Sequence, residues 1–311
     1  MSEFDRWPHA ILVSGDARLT VLLPDAARGY YRGPRFDWSG MVALAEWKGH
    51  TFFGSWRPAP HRPRANDDAA GTAGEFGMGP LTGNPAPVGY DDAEVGEVFL
   101  KIGVGRLVKV REPVYSFGAL YRILQPAVWD IRQEEGRISF AQEESPVRGY
   151  AFRYTKTISL QEDAAGFALE HKLENLGTRR VVQTHYCHNF IRIDDEPIGP
   201  DYRIELPWQP AFSRTAGDIL QQNGANIEIS RVPGPEEGFF ALVEGYEPTS
   251  AHHSITLRRG KAALRMTGSD PMVLLQVFGT RRTLCPEPFI SVSLAPGASR
   301  KWSTRYHFVD C

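Results

Sequence analysis

The chain has 311 residues, of which 42% are hydrophobic and 23% are charged, a composition typical of a soluble globular protein that buries a large core. Its 35 basic and 37 acidic residues give a net charge of −2, so the sequence has no excess positive charge to attract nucleic acid or an anionic membrane. We therefore expect neither as a partner.

The first cluster of interest in chain order is YYRGPRFDWSG, residues 30–40, which combines aromatic and charged side chains. Aromatic faces stack on sugar rings and guanidinium groups bond oxygen atoms, so the combination of Arg35 and Trp38 suits a sugar site. An edge hairpin is the alternative, and the stretch taken alone favours the hairpin.

The next segment, residues 57–97, is rich in proline, glycine and alanine and sustains no hydrophobic period. The roughly 56 residues before it are too few for an independent core. Long irregular insertions in compact domains are typically binding loops or lids. We therefore predict a single domain over residues 1–311, with residues 57–97 as a long loop over the cleft.

The run FLKIGVGRLVK, residues 99–109, contains a Gly-x-Gly pair. It has neither the third glycine nor the strand-then-helix setting of a dinucleotide-binding loop. We therefore predict that these are glycines within strands, and we expect no nucleotide cofactor.

Strand patterns dominate the rest of the chain. Apolar and polar residues alternate over residues 167–175, 261–268 and 301–308, which is the period of strands with one face toward solvent. Turn signals between such runs leave few intervals long enough for a helix. The pattern predicts an all-β fold, a large β-sandwich of antiparallel sheets.

The stretch THYCHNF, residues 184–190, holds two histidines close together. In a strand, alternation turns His185 toward one face and His188 toward the other. Two metal ligands on one strand need i, i+2 spacing unless a bulge re-aims one ring, so the pattern disfavours a metal site. The histidines are either hydrogen-bonded residues of a half-buried strand, or a bulge turns His188 into a cleft.

The run LCPEPFISVSLAPG, residues 284–297, places Glu287 between two prolines in otherwise apolar company. A carboxylate in such a setting is either a functional group or part of a surface turn whose prolines set the chain direction. The stretch alone leaves both interpretations open.

Cysteine usage indicates the compartment. Cys187, Cys285 and Cys311 are an odd number without close spacing, which argues against a disulfide framework and against a cysteine zinc site. The first 20 residues have no sustained apolar run, and no later stretch reaches transmembrane length. We expect a cytoplasmic protein.

Four segments in a fixed order resemble the aldose 1-epimerases, or galactose mutarotases. Residues 174–190 are similar to that family's turn and strand written His-x-Tyr-Phe-Asn-Leu, and residues 269–280 to its Thr-Asp-x-Pro-x-x-Gln-x-Tyr strand. CPEPF places Glu287 where the family has its catalytic glutamate, and residues 294–308 resemble its Pro-Gly turn and final strand. The resemblance implies a galactose mutarotase-like supersandwich and an isomerase of carbohydrate metabolism.

The resemblance also implies roles for individual residues. His185 aligns with the family's catalytic histidine, and mutarotation needs one acid and one base but no cofactor. We therefore expect Glu287 to be the base and His185 the acid, with no metal ion. The residues expected to bind the sugar are Asn189, His188, Gln276, Arg35, Trp38, Lys101, Arg106 and Trp129.

Two departures from the family pattern keep other functions open. Residues 106–150 contain no histidine where the family carries a second one, and the chain has no match for the family's substrate-binding aspartate. One alternative is a non-catalytic carbohydrate-binding protein on the same fold. Another is an isomerase or lyase acting on an acidic or keto sugar, whose anion would contact Arg32, Arg35, Lys101 and Arg106. In each case the expected partner is a small-molecule sugar or sugar derivative, and the protein is a monomer or homodimer.

Overall fold

The computed structural model describes residues 2–161 and 165–310. Regular structure in these residues is almost entirely β, and the helices are two single 3₁₀ turns, Pro80–Thr82 and Ser250–His252. Within the same residues, no helix has the length and apolar composition required to cross a membrane.

The strands of the first half of the chain are β1 His9–Ser14, β2 Ala17–Leu22, β3 Met41–Trp47, β4 His50–Phe52, β5 Thr72–Phe76, β6 Val98–Lys101, β7 Gly105–Val108, β8 Ile123–Pro126, β9 Asp130–Glu134, β10 Arg137–Val147 and β11 Tyr150–Leu160. The strands of the second half are β12 Gly166–Asn175, β13 Val181–Asn189, β14 Tyr202–Glu205, β15 Ala211–Ala216, β16 Leu220–Asn223, β17 Asn226–Ile229, β18 Gly238–Glu244, β19 Ser254–Arg259, β20 Ala262–Gly268, β21 Leu274–Thr280, β22 Leu284–Leu294 and β23 Ser299–Asp310.

In the described part of the chain these strands form four antiparallel sheets. The ten-stranded sheet has the order β16-β17-β14-β19-β20-β23-β12-β11-β10-β9, and the six-stranded sheet has the order β15-β18-β21-β22-β13-β5. Two smaller sheets have the orders β1-β2-β3-β4 and β6-β7-β8. The predicted all-β fold of large antiparallel sheets is confirmed.

The alternating runs predicted as strands are strands. Residues 167–175, 261–268 and 301–308 coincide with β12, β20 and β23 to within two residues at each end, and these strands are neighbours in the ten-stranded sheet. In β12 the apolar Leu169 is buried and the adjacent Glu170 is exposed, as a strand with one solvated face requires.

The six-stranded sheet packs face to face against the ten-stranded sheet. Phe76 of β5 contacts Tyr154 of β11, with ring centroids 5.1 Å apart. The Tyr306 hydroxyl of β23 donates a hydrogen bond of 2.7 Å to Asn189 Oδ1 of β13. One face of the six-stranded sheet is therefore part of the core, and its opposite face, called the free face below, does not pack against the ten-stranded sheet.

Three segments differ from their sequence-based interpretation. Residues 57–97 are not one uninterrupted loop, because they contain β5, which pairs with β13 at the edge of the six-stranded sheet. All five residues of β5 are buried, and their sequence TAGEF is too short and too rich in small residues to show a period. Residues 30–40 form a largely buried loop rather than a hairpin.

The run that includes Glu287 is a buried strand, β22, rather than a surface turn. Proline cannot donate to a sheet ladder, and the ladder between β22 and β13 runs only as far as the His185–Ile290 pair, short of both prolines. The Asn189 side chain instead donates to the Pro286 carbonyl oxygen at 2.9 Å. Pro286 and Pro288 therefore lie in β22 beyond the end of its ladder with β13.

Gly71 sets the entry of the chain into β5. Its φ is +61°, and a Cβ atom at this position would lie 1.9 Å from the Val42 carbonyl oxygen. We expect Gly71→Ala to lower the free energy of unfolding by about 3 kcal/mol or more, of which roughly 1 kcal/mol comes from the left-handed backbone and the rest from the clash.

Gly136→Ala is the matched control for this change. Gly136 has a φ of +63°, but a Cβ atom there meets open space, so only the backbone contribution of about 1 kcal/mol applies. Urea denaturation of both variants measures the difference. Equal losses of stability would show that the contact with Val42 does not constrain this turn.

Candidate active site

Three neighbouring strands place one polar side chain each in a row on the free face of the six-stranded sheet. Gln276 of β21 is the cross-strand partner of Glu287 in β22. The His185–Ile290 and Ile191–Leu284 pairs on either side put His188 of β13 opposite Glu287. The antiparallel register alone therefore brings together residues that are far apart in the sequence.

A cavity of about 280 Å³ lies over this row. Most of its wall is aromatic or thioether: Phe36, Trp56, Met78, Phe117, Phe190, Phe240 and Phe278. The polar groups that reach it are Arg35, Asp67, His188, Gln276 and Glu287. Apolar walls with a few convergent polar groups are typical of sites for small molecules.

His188 and Glu287 form the polar centre of the cavity. His188 Nε2 lies 3.1 Å from Glu287 Oε1, and both side chains are almost fully buried. The imidazole stacks on Phe190, with ring centroids 4.2 Å apart, and meets the edges of Phe36 and Phe278. These contacts hold the imidazole in one orientation toward the carboxyl group.

Burial changes the protonation of this pair. Desolvation raises the pKa of Glu287 well above its ordinary value, and desolvation together with the Arg35 charge lowers the pKa of His188 well below its ordinary value. Both shifts favour the uncharged forms, a protonated carboxyl group and a free imidazole. A buried acid next to a buried base is an arrangement suited to proton transfer.

A buried ion network supports one side of the cavity. Arg35 Nε donates to Glu75 Oε2 at 2.8 Å, and its second nitrogen donates to the Tyr186 hydroxyl at 2.9 Å. The Tyr186 hydroxyl donates in turn to Glu75 at 2.6 Å. Burial acts to raise the pKa of Glu75, but Arg35 and Lys101 outweigh it and hold that pKa below its ordinary value.

The rim of the cavity is formed by a second set of contacts. The Trp56 indole donates to the Asp67 carbonyl oxygen at 2.6 Å, and Arg57 binds the Asp67 carboxylate through two nitrogens at 3.2 and 2.7 Å. Arg57 also lies over the Trp56 ring at 4.2 Å. The rim therefore presents an indole ring and a carboxylate side by side at the mouth of the cavity.

The predicted pairing of His185 with Glu287 is wrong. His185 faces the ten-stranded sheet, where its Nδ1 accepts a hydrogen bond from the Trp302 indole at 3.1 Å and its ring lies 4.6 Å from that of His171. The predicted strand alternation is confirmed, since His185 and Asn189 share one face and His188 lies on the other. Asn189 likewise binds Tyr306 and backbone carbonyl groups rather than lining the cavity.

Four other expected sugar-binding residues lie away from this cavity. Lys101 is buried against Glu75 and the carbonyl oxygens of Phe76 and Gly77, and burial lowers its pKa to about 8. Arg106 binds Glu144 at 3.1 Å. The other two are Trp38, which lines a different cleft, and Trp129, which packs against the core. Arg35, His188, Gln276 and Glu287 do line the cavity.

Sequence reasoning missed several wall residues. Asp67 lies within residues 57–97, the segment interpreted as a loop, so only its general position over a cleft was predicted. Trp56 lies just before that segment and was not predicted. Phe117 and Phe240 lie in stretches with no distinguishing pattern. Phe240 lies in β18 and Phe117 in the loop between β7 and β8, and an aromatic residue at either place is equally typical of a core position.

Comparisons with known proteins agree on the fold. No protein-family model and no curated protein sequence matches the chain, but solved structures match over nearly its whole length. A protein from Synechocystis sp. PCC 6803 is 14% identical, with a TM-score of 0.59 and coverage of 100% of this chain and 99% of that one. A galactose mutarotase-like protein from Clostridium acetobutylicum is 10% identical, with a TM-score of 0.55 and coverage of 97% and 95%.

A third structure, an aldose epimerase homologue from C. elegans, is 12% identical, with a TM-score of 0.54 and coverage of 97% of this chain and 98% of that one. Identities this low show a shared fold. The galactose mutarotase-like fold expected from the sequence is thereby confirmed.

The buried position of His185 predicts a measurable pH dependence of stability. Desolvation and the nearby Lys156 charge lower its pKa to about 3, whereas an unfolded histidine titrates near 6.5. Between these values the unfolded chain binds a proton that the folded chain does not, so stability falls as the pH falls. The contribution of this group is about 1.4 kcal/mol per pH unit.

His185→Gln tests this contribution, because glutamine can still accept a bond from Trp302 but cannot take up the proton. We expect urea denaturation from about pH 6 to about pH 4.5 to give a stability-versus-pH slope shallower than that of wild type by about 1.4 kcal/mol per pH unit. Parallel slopes in the two proteins would mean that His185 is protonated in the folded state.

Proposed function

We propose that this protein, whose fold is that of the galactose mutarotase-like structures, is a sugar isomerase that interconverts the anomers of a free aldose. His188 and Glu287 are its acid–base pair. The observation that carries the proposal is the 3.1 Å approach of His188 Nε2 to Glu287 Oε1 within an aromatic cavity.

The cavity supports a monosaccharide as the substrate class. Its volume of about 280 Å³ lies near the lower end of the range for small-molecule sites, which suits a single sugar ring better than an oligosaccharide. The aromatic wall of the cavity offers apolar surface to the C–H groups of such a ring. The Gln276 amide, the Arg35 guanidinium and the Asp67 carboxylate provide donors and acceptors for its hydroxyl groups.

Anomer exchange requires two proton transfers at neighbouring oxygens. When the sugar ring opens, the anomeric hydroxyl loses a proton, the bond between the anomeric carbon and the ring oxygen breaks, and the ring oxygen gains a proton. Both oxygens are bonded to the same carbon, so an acid and a base a few ångströms apart can serve both transfers. Rotation about the adjacent carbon–carbon bond and the reverse transfers then give the other anomer.

The pKa shifts favour one division of these roles. Neutral His188 accepts the proton of the anomeric hydroxyl, and protonated Glu287 donates to the ring oxygen. This is the reverse of the roles expected from the sequence, where glutamate was the base. The reason is desolvation, which disfavours the carboxylate and the imidazolium alike.

Substitution of the pair tests the proposal. We expect His188→Gln and Glu287→Gln each to lower the anomer exchange rate by about 10²-fold or more, the usual loss when an acid–base catalyst is removed. The readout is exchange between the anomer signals of free hexoses and pentoses by NMR, with the buffer-catalysed rate subtracted.

His185→Gln is the matched control, because it makes the same change on the opposite face of the same strand. We expect its exchange rate per folded molecule to stay within a few-fold of wild type. If both cavity variants keep full activity, the pair is not catalytic. If wild type binds a sugar but does not accelerate exchange, the protein is a carbohydrate-binding protein instead.

The pH profile gives an independent test. Activity requires one proton on the pair, so the rate falls at low pH as His188 becomes protonated and at high pH as Glu287 loses its proton. Burial lowers the pKa of His188 and raises that of Glu287, so we expect the acid limb to lie well below pH 6.5 and the alkaline limb to lie well above the pKa of an ordinary glutamate. An ordinary histidine base would lose half of the rate near pH 6.5, and that result would contradict the assignment.

A further inference from the structure

A second cleft, of about 510 Å³, lies beside Trp38 and Tyr121 and is separate from the cavity described above. Arg32, Arg64 and Arg122 all line it, and no acidic side chain is among its lining residues. The cleft therefore gathers three permanent positive charges on a protein whose net charge is −2.

None of the three arginines has a carboxylate partner among the described residues, whereas Arg35 and Arg106 bind Glu75 and Glu144. The side chains of Arg64 and Arg122 make no hydrogen bond or ion pair with any described residue. Arg32 donates one bond of 2.5 Å to the Ala27 carbonyl oxygen, while its buried Nε has no partner among the described residues.

The three arginines leave donors available to a ligand. Arg64 and Arg122 are exposed to solvent and Arg32 is half-buried, so solvent screens much of their mutual repulsion, while the buried Arg32 Nε lacks a hydrogen-bond acceptor among the described residues. An anion with several oxygens can supply that acceptor and offset the remaining repulsion. Guanidinium groups match such oxygens in pairs, which makes arginine the preferred residue for phosphate recognition.

The wall of the cleft is rigid and partly aromatic. The Trp38 indole donates to the Gly33 carbonyl oxygen at 2.9 Å. The Tyr121 hydroxyl donates to Glu112 at 2.6 Å, and its ring stacks on Tyr115 with centroids 5.1 Å apart. Leu120 is 66% exposed at the same place. The cleft thus offers apolar surface beside the charges, and its volume exceeds that of a phosphate group alone.

We propose that this cleft binds a phosphate ester of a small organic alcohol, with Arg32, Arg64 and Arg122 around the phosphate and the organic group against Leu120 and the aromatic wall. Three guanidinium groups match a dianion with three terminal oxygens better than they match a single carboxylate. The site is independent of the proposed sugar isomerase activity, because none of these three arginines lines the first cavity.

Calorimetric titration with phenyl phosphate, which contains no sugar, tests this cleft separately from the proposed sugar site. We expect wild type to bind phenyl phosphate, and Arg64→Gln and Arg122→Gln each to weaken binding by about 10-fold or more, the loss expected for a charge-assisted contact. Arg111→Gln is the control: it removes the same charge from an exposed arginine outside the cleft and should leave the affinity within about 2-fold.

Four results would overturn the proposal. They are no binding by wild type at millimolar phenyl phosphate, unchanged affinity in both cleft variants, an equal loss in Arg111→Gln, and inorganic phosphate binding as tightly as phenyl phosphate. The last result would show that the organic group makes no contact. Because the assay measures binding alone, its outcome does not depend on whether the protein isomerises sugars.

Discussion

The candidate active site depends on the register between β13, β22 and β21. The residue period of a strand is two, so a slip of one residue between β13 and β22 would turn His188 into the sheet interface and His185 out to the free face. The pairing of His185 with Ile290 and the packing of His185 against Trp302 prevent that slip. The same register sets Gln276 beside Glu287. A site of three strands therefore depends on one alignment that the sandwich core enforces.

The acid–base chemistry proposed for His188 and Glu287 depends on the exclusion of water from the cavity and on the charges around it. Phe36, Phe190 and Phe278 enclose the imidazole, and desolvation favours the uncharged forms of both His188 and Glu287. The other charged groups that line the cavity are each paired, Arg35 with Glu75 at 2.8 Å and Asp67 with Arg57 at 2.7 Å. These fixed ion pairs leave the cavity polar enough to orient hydroxyl groups.

Features that follow from local sequence patterns were predictable, whereas features that depend on contacts between distant segments were not. Alternation in β12, β20 and β23 is local, so the all-β fold followed from the sequence, and the same local rule separated His185 from His188. The likeness to a family motif pointed to His185 as the catalytic histidine. In the structure, however, His185 faces away from Glu287 and packs against Trp302. Glu287 was found because a carboxylate in apolar company is informative, Arg35 because it stands among aromatic residues, and Gln276 through the likeness of residues 269–280 to a family strand. Lys101 has the same appearance in the sequence but forms a buried structural contact. No local sequence pattern distinguishes Trp56 and Phe117, because only the packing of loops brings them to the cavity.

The most direct test of the central claim is a crystal structure with a monosaccharide bound. We expect the sugar to lie in the 280 Å³ cavity, with its anomeric and ring oxygens within hydrogen-bond distance of His188 Nε2 and the Glu287 carboxyl group. A sugar bound elsewhere, or bound in this cavity with its anomeric carbon turned away from His188 and Glu287, would contradict it.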